Sequence, residues 1–156
     1  MKIKSCSLMQ CWFLCLSLVA VMVLSISVQY AWSCSRILYE TGTGTYITGR
    51  SMDWSDPTAK TRLWVFPRGM VRDGGTGKEA IKWISKYGSV VTSFYDIATA
   101  DGMNEVGLAG NVLYLAETDY GNASKTGKAT IKVGAWLQYY LDNFATVKEA
   151  VHAMVP

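Results

Sequence analysis

Apolar and polar positions divide the 156-residue chain into three regimes. Lys2 and Lys4 give a basic start, and residues 12–28 follow as an apolar run broken only by serines. A short basic head before an apolar core is the layout of a signal peptide, here at the long end of the usual range. Beyond it the period shortens to that of strands. Residues 35–40 and 45–50, rich in β-branched and aromatic side chains, flank Thr41-Gly42-Thr43-Gly44 and predict a hairpin. Residues 62–66 alternate as another strand that stops at Pro67, whose ring disfavours continued pairing. A polar, glycine-rich loop is predicted over 68–78, then a pair of strands at 81–83 and 88–94, and a mostly buried strand over 106–115. In the tail the period becomes helical. Ile131, Val133, Trp136, Leu137, Tyr140 and Leu141 mark one helix, and Thr146 followed by Glu149 forms a capping box for a last helix through Met154. Strands first and helices afterwards predict an α+β domain rather than a doubly wound parallel sheet. The sequence stops at Val155-Pro156 amid helical packing without a closing strand, which reads as a truncated domain or fragment.

Small residues at Ala31 and Ser33 directly behind the apolar core predict cleavage after Ser33. Residues 1–33 are then a signal peptide and 34–156 the mature domain, exported to the periplasm or secreted, with no stable membrane anchor. Two other readings compete. A bilayer span needs about 17 to 25 apolar residues, so the run also fits an anchor. Lipidation of Cys34 is the third, against which Trp32 stands, because lipoprotein sites prefer small residues before the cut.

Cleavage at this point makes Cys34 the mature N-terminus and, with Cys6, Cys11 and Cys15 removed, its only thiol. An N-terminal cysteine brings its own base: an α-amino group titrates at about 7.7 to 8.0 and a thiol at about 8.5, so the amine can take the thiol proton near neutrality. No separate histidine is needed, and the one histidine, His152, lies near the far end.

Removing 33 of the 156 residues leaves 123, enough for one modest domain. Its 15 Lys and Arg, less Lys2 and Lys4, face 12 Asp and Glu, a balance of one positive charge without any basic stripe. Nucleic acid is excluded as a partner on that ground. A lone cysteine makes no intrachain disulfide, so stability falls to packing, for which six tryptophans and nine tyrosines across the chain supply large side chains.

Gly49-Arg50-Ser51-Met52-Asp53-Trp54 places a charge pair and a tryptophan at the end of the strand that pairs with the one beginning at Cys34. Paired strands lie about 5 Å apart, so Arg50 and Asp53 can reach the Cys34 amine and thiol. A carboxylate there would hold the amine toward sulfur, and a cation would favour thiolate and a developing oxyanion. The competing reading is a surface ion pair.

Cys34, Gly49-Arg50-x-Met52-Asp53-Trp54, Trp83-x-Ser85-Lys86-Tyr87-Gly88-Ser89-Val90 and Asp101-Gly102-Met103-Asn104-Glu105-x-Gly107-Leu108 together resemble the choloylglycine hydrolase family of N-terminal nucleophile hydrolases. That family contains penicillin V acylases and bile salt hydrolases. The resemblance spans the mature segment and implies the N-terminal part of an αββα four-layer sandwich that hydrolyses linear amides. It makes Cys34 the nucleophile and, through its amine, the base, with Arg50 and Asp53 positioning and polarising them. It implies no cofactor, a small-molecule amide substrate, and a homo-oligomer, a tetramer in the family. Residues 109–117 look most like the acylases of Gram-negative bacteria, in which aromatic residues matching Trp54 and Tyr114 contact the acyl group. Ordinary core packing is the alternative for both. Bile salt hydrolases typically carry asparagine at the position of Tyr114, and Asn104 is read as structural. The resemblance also implies an oxyanion asparagine and a second arginine beyond Pro156. The substrates it suggests are penicillin V or an N-acyl homoserine lactone ahead of conjugated bile salts. A non-catalytic, truncated or lipid-anchored relative is the alternative of another class.

Three features carry less. Asn122-Ala123-Ser124 matches a glycosylation acceptor, which a bacterial type of signal and family makes coincidental. A metal site has no support from one histidine and one mature cysteine far apart in sequence. His152 reads as a surface or edge residue.

Overall fold

A computed structural model describes residues 8–24, 34–75, 77–121 and 127–154. The chain divides into two units, the first ending at Trp32 and the second beginning at Ser33. In the first, Leu8–Leu24 forms the 17-residue helix α1, without a charged residue. Among the described residues no helix is long and apolar enough to cross a membrane. The expected cleavage pattern at Ala31 and Ser33, and Asn122-Ala123-Ser124, lie outside the described residues.

The second unit opens with the expected hairpin. Arg36–Glu40 (β1) pairs antiparallel with Tyr46–Arg50 (β2), Arg36 facing Arg50. Gly42 and Gly44 turn the chain at φ 78° and 79°, a region that side chains resist. Leu63–Phe66 (β3), Ser89–Phe94 (β6), Ala98–Asn104 (β7) and Ala109–Asn111 (β8) form one antiparallel sheet in the order β3-β6-β7-β8. Val71–Asp73 (β4) and Lys82–Ile84 (β5) make a separate hairpin.

Three strand expectations need correction. The loop expected over 68–78 contains β4, and the strand expected at 81–83 pairs with it, whereas β6 pairs with β3 and β7. Gly69 at φ 77° and Gly75 at φ 70° bracket β4 and give it the composition of a loop. The strand expected over 106–115 is reduced to β8, because the chain first turns through Gly107 at φ 92°. Asn104 organises that turn. Only 2% exposed, its Oδ1 accepts from the Leu108 N–H at 2.9 Å, and its Nδ2 donates to the carbonyls of Leu141 at 2.9 Å and Phe144 at 2.8 Å. It is the structural residue that the sequence suggested.

The helices lie where the period changes, at Val133–Asn143 (α2) and Val147–Met154 (α3). Thr146 Oγ1 accepts from the Glu149 N–H at 3.2 Å, and Glu149 Oε2 accepts in return from Ala145 at 2.8 Å, one residue earlier than in a strict capping box. Helix α2 packs on β7 and β8 around Val91, Leu108, Leu137 and Leu141. Its approach is close: a Cβ on Gly102 would lie 2.6 Å from Val91 Cγ1 and 2.8 Å from Leu141 Cδ1. The β4–β5 hairpin is tied to the same helix through Asp142, which is fully buried. Its carboxylate accepts from Arg72 Nε at 3.2 Å, Trp83 Nε1 at 2.7 Å and Gln138 Nε2 at 2.7 Å. Antiparallel strands followed by helices on one sheet make the domain α+β, as expected.

Candidate active site

Hairpin register brings the two ends of the candidate site together. With Arg36 opposite Arg50, the chain just before β1 runs beside the chain just after β2. Ser51 N–H donates to the Ser35 carbonyl at 3.0 Å, and Ser35 N–H donates to Ser51 Oγ at 3.0 Å. Half-buried Cys34 sits one residue further out, its Sγ 3.9 Å from the carbonyl oxygen of Asp53.

Arg50 is the most tightly held side chain of the group, its side chain 9% exposed. Nε donates to the Ser51 carbonyl at 3.0 Å, and Nη1 donates to the Val112 carbonyl at 2.8 Å and to Asp101 Oδ2 at 3.2 Å. Asp101 in turn accepts from Asn111 Nδ2 through its other oxygen. Nearby, a bulge between β6 and β7 pairs Thr92 with Asp101 but Ser93 with Thr99, leaving Ala100 as the extra residue. Bulges re-aim the side chains next to them, and this one sits beside the Arg50–Asp101 pair.

Cys34, Arg50, Met52, Trp54, Phe94 and Tyr114 are among the residues around a mainly apolar pocket of about 210 Å³. Trp54 stands edge-on to two rings, with centroids 5.3 Å from Phe94 and 5.2 Å from Tyr114. Its Nε1 donates to Tyr95 Oη at 3.0 Å, and Tyr95 Oη donates to Asp56 Oδ2 at 2.5 Å. The hydrogen bond from the Thr58 hydroxyl, then that from Tyr95, holds the Asp56 carboxyl below its ordinary value, while the bond to Asp56 pushes the Tyr95 phenol up. A charged end at Arg50 beside a thiol, continued by flat aromatic walls, suits an amide carbonyl attached to an apolar acyl group.

Four of the five residues singled out from sequence, Cys34, Arg50, Trp54 and Tyr114, therefore share one pocket. Asp53 does not line it. Its carboxylate accepts from Ser51 Oγ at 2.7 Å, and only its backbone oxygen faces the thiol. Tyr114 lies beyond β8 rather than within a strand, and it is 65% exposed. Sequence reasoning missed Asp101 as the partner of Arg50, with Asn111 behind it, and Tyr95 and Asp56 behind Trp54. The Asp101 signal was within the quoted Asp-Gly-Met-Asn-Glu segment, but nothing local ties that residue to an arginine 51 positions away. Among the described residues no cluster of His, Cys, Asp and Glu is arranged to hold a metal ion, and His152 is exposed on α3.

Comparison with known proteins assigns the chain and its fold to one lineage. Residues 34–155 match the family described as linear amide C-N hydrolases, choloylglycine hydrolase family. The chain is 47% identical over 147 residues to a penicillin V acylase of Pectobacterium atrosepticum, an alignment covering 89% of this chain and 38% of that protein. The solved structure of a penicillin V acylase from Agrobacterium tumefaciens matches with a TM-score of 0.70 and 52% identity, over 76% of this chain and 37% of that one. The chain thus spans well under half the length of these relatives. The structural match carries the N-terminal nucleophile hydrolase fold inferred from the sequence motifs. The match begins at Cys34 itself and runs through every residue around the pocket, and the chain belongs to the choloylglycine hydrolase family of linear amide C–N hydrolases.

Proposed function

We propose that the protein is an exported linear-amide hydrolase in which Cys34, freed as the mature N-terminus, attacks the carbonyl carbon of an N-acyl substrate. The observation that carries this reading is the single pocket in which the Cys34 thiol and the Arg50 guanidinium meet the Trp54 and Tyr114 rings.

The chemistry follows from those groups. Cleavage of the Ser33–Cys34 peptide turns the Cys34 nitrogen from an amide into an amine, which takes the thiol proton. Sulfur adds to the carbonyl, and the oxyanion gains from the fixed positive charge of Arg50. Collapse breaks the C–N bond as the proton passes from the α-amine to the leaving nitrogen, giving a thioester on Cys34 and the free amine product. Water then gives up a proton to the α-amine as it attacks the thioester. The acid leaves, the thiol is restored, and the balance is one water consumed per amide. Asp53 enters as the residue whose carbonyl oxygen faces Sγ and whose carboxylate, through Ser51, braces the strand ends beside Cys34.

The walls support an aromatic or fatty acyl group. Edge-on aromatic pairs are worth about 0.5 to 1.5 kcal/mol beyond area burial, and a phenoxyacetyl ring or fatty chain can exploit the same surfaces. Penicillin V or an N-acyl homoserine lactone therefore suits the pocket better than the bulky fused rings of a conjugated bile salt. The test is hydrolysis of penicillin V, penicillin G and glycine-conjugated bile salt by the processed protein, followed by release of the free amine. Preference for penicillin V supports the reading. Faster cleavage of the bile salt overturns the acylase assignment while leaving the amide chemistry in place.

A further inference from the structure

We propose that Tyr95 and Asp56 are positioning residues of the acyl subsite, fixing the angle of the Trp54 indole and thereby which acyl groups the pocket takes. This rests on the reading that Trp54 contacts the acyl group, but the argument is geometric.

Trp54 belongs to the stretch between β2 and β3, which has no helix or strand to set its side chain. A hydrogen-bonded chain does so instead. The indole Nε1–H can only donate, and it donates to Tyr95 Oη at 3.0 Å. Having accepted that bond, the phenol directs its one proton to Asp56 Oδ2 at 2.5 Å. The carboxylate can only accept, and its other oxygen takes the Thr58 N–H at 2.8 Å and the Thr58 hydroxyl at 2.6 Å. Every link thus has one possible direction. With the carboxyl held below and the phenol above their ordinary values, that direction is the same throughout the neutral range.

The backbone supports the same assignment. Tyr95 and Asp96 sit consecutively at φ 53° and 58°, a left-handed conformation uncommon for residues other than glycine and unfavourable for a bulky one. Such a bend persists only where its surroundings over-determine it. Here Asp96 accepts from Ser93 Oγ at 3.1 Å and pairs with Arg62 at 3.3 Å, while the Tyr95 ring packs 4.5 Å from Phe94. Phe94 itself lines the pocket and meets Trp54 edge-on at 5.3 Å. The chain at the end of β6 and its left-handed bend therefore deliver two consecutive side chains to one tryptophan, a ring set perpendicular to it and a hydroxyl to its nitrogen.

The test uses the full chain, with the Trp54 indole N–H proton resonance assigned by its loss in Trp54→Phe, and phenoxyacetate as the probe ligand. Tyr95→Phe keeps the ring against Phe94 and removes only the hydroxyl. The expected result is an upfield, faster-exchanging Trp54 N–H and phenoxyacetate affinity reduced roughly two- to tenfold, the worth of one net hydrogen bond. Asp56→Asn, which can still accept from Tyr95, should remain closer to wild type than Asp56→Ala. These last two variants alter a polar surface loop, so their comparison stands even if Tyr95→Phe fails to fold. An unchanged Trp54 N–H in Tyr95→Phe, or equal behaviour of Asp56→Asn and Asp56→Ala, overturns the positioning role. A shifted N–H with unchanged affinity overturns the subsite role. Failure of the wild type to bind phenoxyacetate refutes the acyl reading and the subsite role with it, while the indole resonance still decides whether Tyr95 holds Trp54.

Discussion

Asp101→Ala removes the one charged partner of Arg50 among the described residues, and its cost can be bounded from the geometry. The Arg50 side chain is 9% exposed and that of Asp101 18%, so the pair is largely withdrawn from water. Breaking a buried pair by deleting one member costs about 3 to 5 kcal/mol, because the remaining charge is stranded. Two carbonyls, of Ser51 and Val112, still face the guanidinium, which places the expected loss at the lower end, about 3 kcal/mol. Asp101→Asn separates charge from shape. It retains a neutral acceptor for Arg50, and its new N–H group would face Asn111, whose Oδ1 is buried without a hydrogen-bond partner. Rotation of the Asn111 amide then offers that oxygen to the new donor. The loss shrinks to the difference between a charge-assisted and a neutral hydrogen bond, about 1 to 2 kcal/mol. Urea unfolding of the full chain, followed by near-ultraviolet circular dichroism, measures both. The reasoning is refuted if Asp101→Ala lies within about 1 kcal/mol of wild type, or if Asp101→Asn costs as much as the alanine.

Three further outcomes are expected. Gly102→Ala inserts a Cβ 2.6 Å from Val91 Cγ1 and 3.0 Å from the Val90 carbonyl, and should destabilise the domain by about 1 to 3 kcal/mol in the same unfolding assay. Asn104→Ala strands the Leu108 N–H and the Leu141 and Phe144 carbonyls, and should cost about 2 to 4 kcal/mol without a specific effect on ligand affinity, measured by phenoxyacetate titration of the folded fraction. Asp56 carries a folded-state value below its ordinary 3.8, so its contribution is present above that value and is lost as the pH falls through the depressed one. Asp56→Asn should therefore flatten the acid limb of a urea-midpoint against pH curve, and an unaltered limb would contradict the assignment.

Local signals were legible wherever one segment contained its own explanation. The Thr-Gly-Thr-Gly turn specified β1–β2, the helical spacing specified α2, and Thr146 with Glu149 specified the start of α3. β7 was not legible because its buried positions are small or polar. Gly102 is small so that Leu141 can approach, and Thr99 is buried against Gln138 at 2.9 Å, so the strand lacks apolar alternation. β4 was hidden by the glycines around it. At the site, Cys34 and Arg50 were readable because a hairpin joins them. Asp101 meets Arg50 across 51 residues, and Tyr95 meets Trp54 across 41, contacts made where separate segments pack together and announced by no local pattern. Asp142 shows the same limit: a charged residue at a helix end reads as solvated, yet Arg72, 70 residues earlier, and Trp83 enclose it.

The most direct test of the account is chemical trapping at Cys34. The processed form beginning at Cys34, mixed with penicillin V, quenched in acid and mapped by mass spectrometry, should carry a phenoxyacetyl thioester on Cys34. A form blocked from cleavage at Ser33–Cys34 should carry none, since its Cys34 nitrogen is still an amide. Amide hydrolysis that proceeds unchanged in Cys34→Ala, or an adduct formed equally well by the uncleaved chain, would contradict the assignment of thiol and amine to one residue.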